Sequence, residues 1–125
     1  MGRVWIAIGA IFGLTTVAMA AYQAHGLAGG AASSVASAVL MQGLHALALL
    51  FVGVEADRRR TMIVNFAGLA FTLGVILFCG TVYAGAIPAF EFLHIGPLAP
   101  IGGTTLMLGW LLVLISAMRS AGRGA

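Results

Sequence analysis

Two polar side chains lie deep inside apolar sequence, Gln42 and His45 in the stretch SAVLMQGLHALALLFVGV. A spacing of three puts both on one face of a helix. An ionisable group inside a membrane segment often marks a proton or ligand pathway. The same pair can instead hydrogen-bond Thr16, Thr72 or Thr105 on neighbouring helices and lock their register. No Asp or Glu falls within the apolar segments to offset an imidazolium. His45 is therefore expected neutral, one nitrogen donating and the other accepting, with Thr72 the foremost partner. A second set, His25, Glu91 and His94, has the right chemistry for zinc or copper. These residues come from two separate connections without ligand spacing. The expectation is a local Glu91–His94 pair, His25 on the carbonyls ending the first helix, and no metal or other cofactor. Haem held by His25 and His45 fails on depth, since they differ by roughly 18 Å along the bundle. There is no nucleophile–base pair or paired carboxylate, so an enzyme is not expected.

The elements that hold these groups follow from composition. Of 125 residues, 62% are hydrophobic and 7% charged, against about a quarter charged in soluble domains. Mean hydropathy is +1.11. The net charge of +3 comes from arginines at the ends of apolar segments, which argues for topology signals and against a nucleic-acid partner. The single cysteine, Cys79, allows no intrachain disulfide.

Four apolar segments are each long enough to cross a hydrocarbon layer of about 30 Å. The chain is expected to form one domain over 1–125, with helices at about 4–24, 33–54, 61–86 and 98–118. The first follows Arg3 and contains Ala18-Met19-Ala20, the form of a signal-peptidase site, but its apolar run exceeds the usual signal core of about 7–15 residues. Its stripe is Gly9, Gly13, Thr16, Ala20 and Gln23; the Gly9-x-x-x-Gly13 pair serves either packing within the bundle or homodimerisation. Ala28–Ala32 is a glycine-rich connection, and Ser33 or Ser34 is the expected cap of the second helix. That helix has the stripe Val35, Ala38, Gln42, His45, Leu49 and Val52. Asn65, Gly68, Thr72, Cys79 and Tyr83 share a face of the third, which Pro88 ends. The fourth presents Gly102, Thr105, Gly109, Leu112 and Ser116, with Trp110 placed elsewhere on its surface. The apolar connection Ile87–Pro97 is expected in the headgroup region or against the bundle end.

With four crossings, Arg3, Arg58, Arg59, Arg60, Arg119 and Arg123 share one side, and the two connections opposite contain no Arg or Lys. The positive-inside rule makes that side, and both termini, cytoplasmic. Short connections make consecutive helices neighbours. The fold expected is an all-α integral membrane protein, an antiparallel up-down-up-down four-helix transmembrane bundle.

Several segments in order carry a resemblance: Gln23-Ala24-His25-Gly26, Gln42-Gly43-Leu44-His45, Leu77-Phe78-Cys79-Gly80-Thr81-Val82-Tyr83, Ala99-Pro100-Ile101-Gly102-Gly103 and Gly109-Trp110. The chain resembles the small bacterial inner-membrane proteins grouped as domain of unknown function 423, over nearly its whole length. The resemblance implies a four-helix membrane fold in the bacterial inner membrane and brings no activity with it.

Two functional classes follow. The first is a non-catalytic component, structural or accessory, embedded in membrane lipids and docked to a larger membrane complex or to copies of itself. The second is a small transporter or proton-conducting protein that uses Gln42 and His45. The first is favoured, because the core has no acidic residue, charged pair or mid-depth proline.

Overall fold

The computed structural model describes residues 1–124. Its long helices are α1 (Gly2–Gly26), α2 (Gly29–Arg59), α3 (Met62–Ala86) and α4 (Leu98–Ala121). The shortest has 24 residues, about 36 Å at 1.5 Å per residue, and each can cross a bilayer. The antiparallel up-down-up-down four-helix bundle expected from the sequence is the architecture observed.

The boundaries differ most around α2. The connection before it shrinks to Leu27 and Ala28, both extended, followed by Gly29 at φ +61°. A left-handed turn of this kind needs glycine, and once the chain has reversed there, Gly30 to Ser34 are already helical. Neither Ser33 nor Ser34 caps α2. Ala28 occupies the cap position without a side-chain bond, and the Ser33 hydroxyl donates to the Gly30 carbonyl at 3.0 Å. Close to a bilayer every backbone group not bonded within a helix is costly, which favours extending the helix over a flexible linker. At its other end α2 continues through the expected Glu55–Arg60 turn to Arg59. Arg60 then adopts φ 50° and its N–H bonds the Ala56 carbonyl, a left-handed C-cap. Ile87 ends α3 in an extended conformation before Pro88. Residues Pro88–Leu93 form a 3₁₀ turn lying against α3, with Phe90, Phe92 and Leu93 exposed at this membrane face.

The helices pack in sequence order, α1 on α2, α2 on α3 and α3 on α4, while α1 and α4 share no packed interface. Burial follows from that order. Eleven residues of α2 and ten of α3 are buried, against Gly2, Trp5 and Gly9 in α1 and Gly102, Leu106 and Gly109 in α4. The largest fully buried side chains, Phe71, Leu49, Val35, Val52 and Cys79, all belong to the two inner helices. The predicted stripe of α2 is buried along its whole length. For α3 a single stripe is too narrow. This helix has neighbours on two sides, and Phe71 and Val75 join Gly68 and Cys79 in the core.

Glycines set how closely the helices approach. A Cβ at Gly2 would sit 2.3 Å from the Gly53 carbonyl oxygen, and one at Gly102 would sit 2.4 Å from the Phe78 backbone nitrogen. These are backbone contacts that a side chain cannot relieve, as expected where membrane helices associate through small residues.

Candidate functional site

Gln42 and His45 are buried one turn apart on α2, at 3% and 2% exposure, yet they engage different neighbours. The Gln42 amide nitrogen donates to the Phe12 carbonyl at 2.9 Å and to Thr15 Oγ1 at 2.5 Å, both on α1. Its Oε1 accepts from the Tyr83 hydroxyl on α3 at 2.6 Å. Because the Phe12 carbonyl can only accept, the nitrogen must lie on that side, which fixes the amide orientation. Thr15 Oγ1 receives the Gln42 proton while its own hydroxyl donates to the Ile11 carbonyl at 3.0 Å. One side chain therefore ties three helices together.

His45 Nδ1 lies 2.7 Å from the Met41 carbonyl, and Trp110 Nε1 donates to its Nε2 at 3.0 Å. A carbonyl only accepts and an indole N–H only donates, so the two partners select the neutral tautomer with hydrogen on Nδ1. A second proton on Nε2 would face the indole donor. Phe71 completes the cluster, with ring centroids 5.4 Å from His45 and 5.1 Å from Trp110, tilted at 57° and 62°, within the range of favourable edge-type packing. Phe71 fits there because position 109 is glycine; a Cβ would lie 2.6 Å from its ring.

The threonines expected to pair with His45 do not. The hydroxyls of Thr72, Thr105 and Thr16 each donate to the carbonyl four residues earlier, on Gly68, Ile101 and Phe12, at 2.8, 2.8 and 2.7 Å. Such back-bonding already satisfies the hydroxyl within its own helix and leaves it no need of an interhelical partner. Trp110, placed on the outer surface from the sequence, is 43% exposed but turns its N–H inward. Two signals for this were present: Trp110 follows Gly109 of the inward stripe, and an indole N–H in hydrocarbon requires an acceptor. A third tie, Trp5 Nε1 to Asn65 Oδ1 at 2.8 Å, joins α1 to α3. There the indole lies over Gly68, 2.7 Å from where its Cβ would be.

Of the glycines assigned to packing, Gly9 lies against α2, where a Cβ would come within 2.9 Å of the Ala46 carbonyl, whereas Gly13 has nothing within 4 Å. The two halves of the Gly-x-x-x-Gly pair therefore have different surroundings.

The outer set does not converge. His25 and Glu91 are exposed, and the expected Glu91–His94 side-chain pair is replaced by His94 Nδ1 at 3.0 Å from the Thr81 carbonyl. The His94 ring occupies the space over Gly85. Among the described residues no three His, Cys, Asp or Glu side chains gather as a metal would need. At the end that carries the termini, Glu55 is buried between Arg58, at 2.9 Å, and Arg59. Asp57 accepts from the Gly2 backbone N–H at 3.1 Å.

Four long apolar helices joined by internally bonded polar groups define a multi-pass membrane protein. The chain belongs to the bacterial family described as protein of unknown function (DUF423), whose model matches residues 19–103. It is similar to a UPF0382 membrane protein of Staphylococcus haemolyticus, 34% identical over 124 residues, which cover 96% of this chain and 99% of the relative. It is 30% identical over 122 residues to the UPF0382 membrane protein YwdK of Bacillus subtilis, covering 94% of this chain and 98% of that one. The UPF0382 inner membrane protein YgdD of Escherichia coli is 30% identical over 131 residues, with 98% and 95% covered. No solved structure matches the chain.

Proposed function

We propose that the protein is a non-catalytic accessory subunit of the bacterial inner membrane, with both termini in the cytoplasm, that docks through α1 or α4 to a transmembrane helix of a larger membrane protein. The observation that carries this reading is the sequential packing order. α1 and α4 each have a packed neighbour on one side, and their apolar side chains Leu14, Val17, Leu111 and Leu114 are exposed. Membrane helices associate through close packing of such surfaces. The polar core supports the reading in a second way, because the amide of Gln42 and both nitrogens of His45 are occupied by bonds inside the fold. A proton carrier in that position would have to break the His45–Trp110 bond at each transfer. The arginine distribution supports the orientation, and the inner-membrane placement in the name of the Escherichia coli relative supports the location.

Site-specific photo-crosslinking in native membranes tests the role. A crosslinker at Leu14 or Leu114 is expected to give one discrete protein adduct, and one at Phe51 on α2 only lipid. An adduct of twice the chain's mass would identify the partner as a second copy. Lipid adducts at every position, combined with His45-dependent ion flux in reconstituted vesicles, would establish the transporter instead.

A further inference from the structure

The end of the bundle that carries the termini has a cleft of about 550 Å³ between the start of α3 and the end of α4. Its polar lining is Arg59, Arg119, Arg123, Thr61, Ser116 and Ser120, and no acidic residue lines it. The carboxylate that Arg59 does bind, Glu55, is shared with Arg58. Arg59 binds it through Nε, so both terminal nitrogens of its guanidinium remain available to an acceptor. α3 begins in this cleft without a side-chain cap and with no acidic residue in its first turn, leaving its first N–H groups for an anion. Thr61 Oγ1 is buried there without a hydrogen-bond partner, an unusual condition for a hydroxyl.

We propose that this cleft binds the phosphodiester of an anionic phospholipid. Arg59, Arg119 and Arg123 would hold the phosphate oxygens, the unpartnered hydroxyl of Thr61 would donate to them, and the positive end of α3 would add to the attraction. A phosphate anion is the shared chemistry of a lipid headgroup and of free phosphate, and the surroundings favour the lipid. Met62 and Ile63 complete the cleft wall. A narrow, mostly apolar crevice shares Arg59 and Ser116 with the cleft and is lined by Phe51, Val52, Val64, Val113 and Ala117, with the Arg59-paired Glu55 as its one carboxylate. A headgroup in the cleft thus has an apolar groove beside it for the start of an acyl chain, which free phosphate would not use. Basic pockets between membrane helices on the cytoplasmic side are suited to such headgroups. The site does not depend on which protein, if any, the bundle docks.

The test is native mass spectrometry of the full-length protein titrated with phosphatidylglycerol or phosphatidylcholine in mild detergent. Retention of phosphatidylglycerol is expected to exceed that of phosphatidylcholine by about tenfold or more. Each arginine should contribute roughly fivefold, so the R119Q/R123Q double variant should lose roughly 25-fold. T61V should weaken binding several-fold with circular dichroism unchanged. Arg3 lies at the same end but outside the cleft, and R3Q should bind as the parent does. Equal losses in R3Q and R119Q/R123Q would show diffuse surface charge and overturn the site. Equal retention of the two lipids would overturn it as well. Displacement of phosphatidylglycerol by millimolar inorganic phosphate would reassign the cleft to free phosphate and refute the lipid.

Discussion

Replacing His45 by leucine removes the acceptor of the Trp110 N–H at 3.0 Å while keeping an apolar side chain in a core position of 2% exposure. The bond from Nδ1 to the Met41 carbonyl is a small loss, since that carbonyl still accepts from the helix backbone. The cost lies in the stranded indole N–H, about 1–3 kcal/mol for an unpaired buried donor. Interhelical bonds in membranes average only about 0.6 kcal/mol with a maximum near 1.7, which places the expected destabilisation at about 1–2 kcal/mol. His45→Gln supplies a carbonyl oxygen at similar reach and should retain most of the stability. Trp110→Phe removes the donor and keeps an aromatic ring against Phe71. If the bond is the main coupling, H45L/W110F should be about as stable as H45L alone, with an interaction energy of about 1 kcal/mol. Unfolding in mixed micelles of dodecylmaltoside and SDS, followed by far-UV circular dichroism, measures the parent and all four variants. Additive losses, within about 0.3–0.5 kcal/mol, would refute a structural bond. Unchanged stability in H45L and H45Q together with a lost cellular phenotype would make His45 a functional residue.

A parallel cycle on Gln42 and Tyr83 should show coupling of similar size. Gln42→Leu leaves the Tyr83 hydroxyl unpaired, so Y83F should be nearly neutral in the Q42L background, and a full additional loss there would contradict the 2.6 Å bond. Gly102→Ala drives a Cβ into the Phe78 backbone and should cost about 1–3 kcal/mol in the same assay, whereas Gly13→Ala enters open space and should be neutral or mildly stabilising; equal effects would mean that the α3–α4 approach is loose. For topology, in a Cys79→Ser background, cysteine at the exposed Gly96 should react with an impermeant thiol reagent added outside and cysteine at the exposed Gly122 should not. The opposite pattern would invert the bundle.

Membrane insertion constrains a sequence strongly, and this explains why the helices were legible: apolar length, arginine placement, Pro88 and the period of small residues all bear on the same four segments. The α2 stripe was legible because α2 is buried along a continuous face. The α3 stripe was incomplete because a helix between two neighbours buries two faces, and Phe71, the largest fully buried side chain, falls on the face turned to α4. The polar core was legible as residues but not as bonds. A helical threonine can satisfy itself on the carbonyl four residues back, as Thr72 does on Gly68, and so does not need His45, whereas an indole has no such local outlet. Trp110 was therefore the side chain that required a partner.

The difference between Gln42 and His45 explains how a bundle packed in sequence order stays together. Between membrane helices the hydrophobic effect supplies little attraction, so close packing and interhelical hydrogen bonds must hold each seam. At the α1–α2 seam Gly2, Gly9 and Gly53 bring the backbones together, and Gln42 bonds Phe12 and Thr15. At the α3–α4 seam Gly74, Gly102 and Gly109 admit Leu106, Phe78 and Phe71, while His45 reaches past α3 to Trp110. Gln42 also bonds Tyr83 and so fastens α1 to the inner pair through α3. Two residues one turn apart, which as a pair suggested a single pathway, thus secure opposite edges of the fold. Replacing Gln42 should loosen α1 preferentially and replacing His45 should loosen α4, a separation that hydrogen exchange resolved by helix would detect and that a shared proton pathway would not produce.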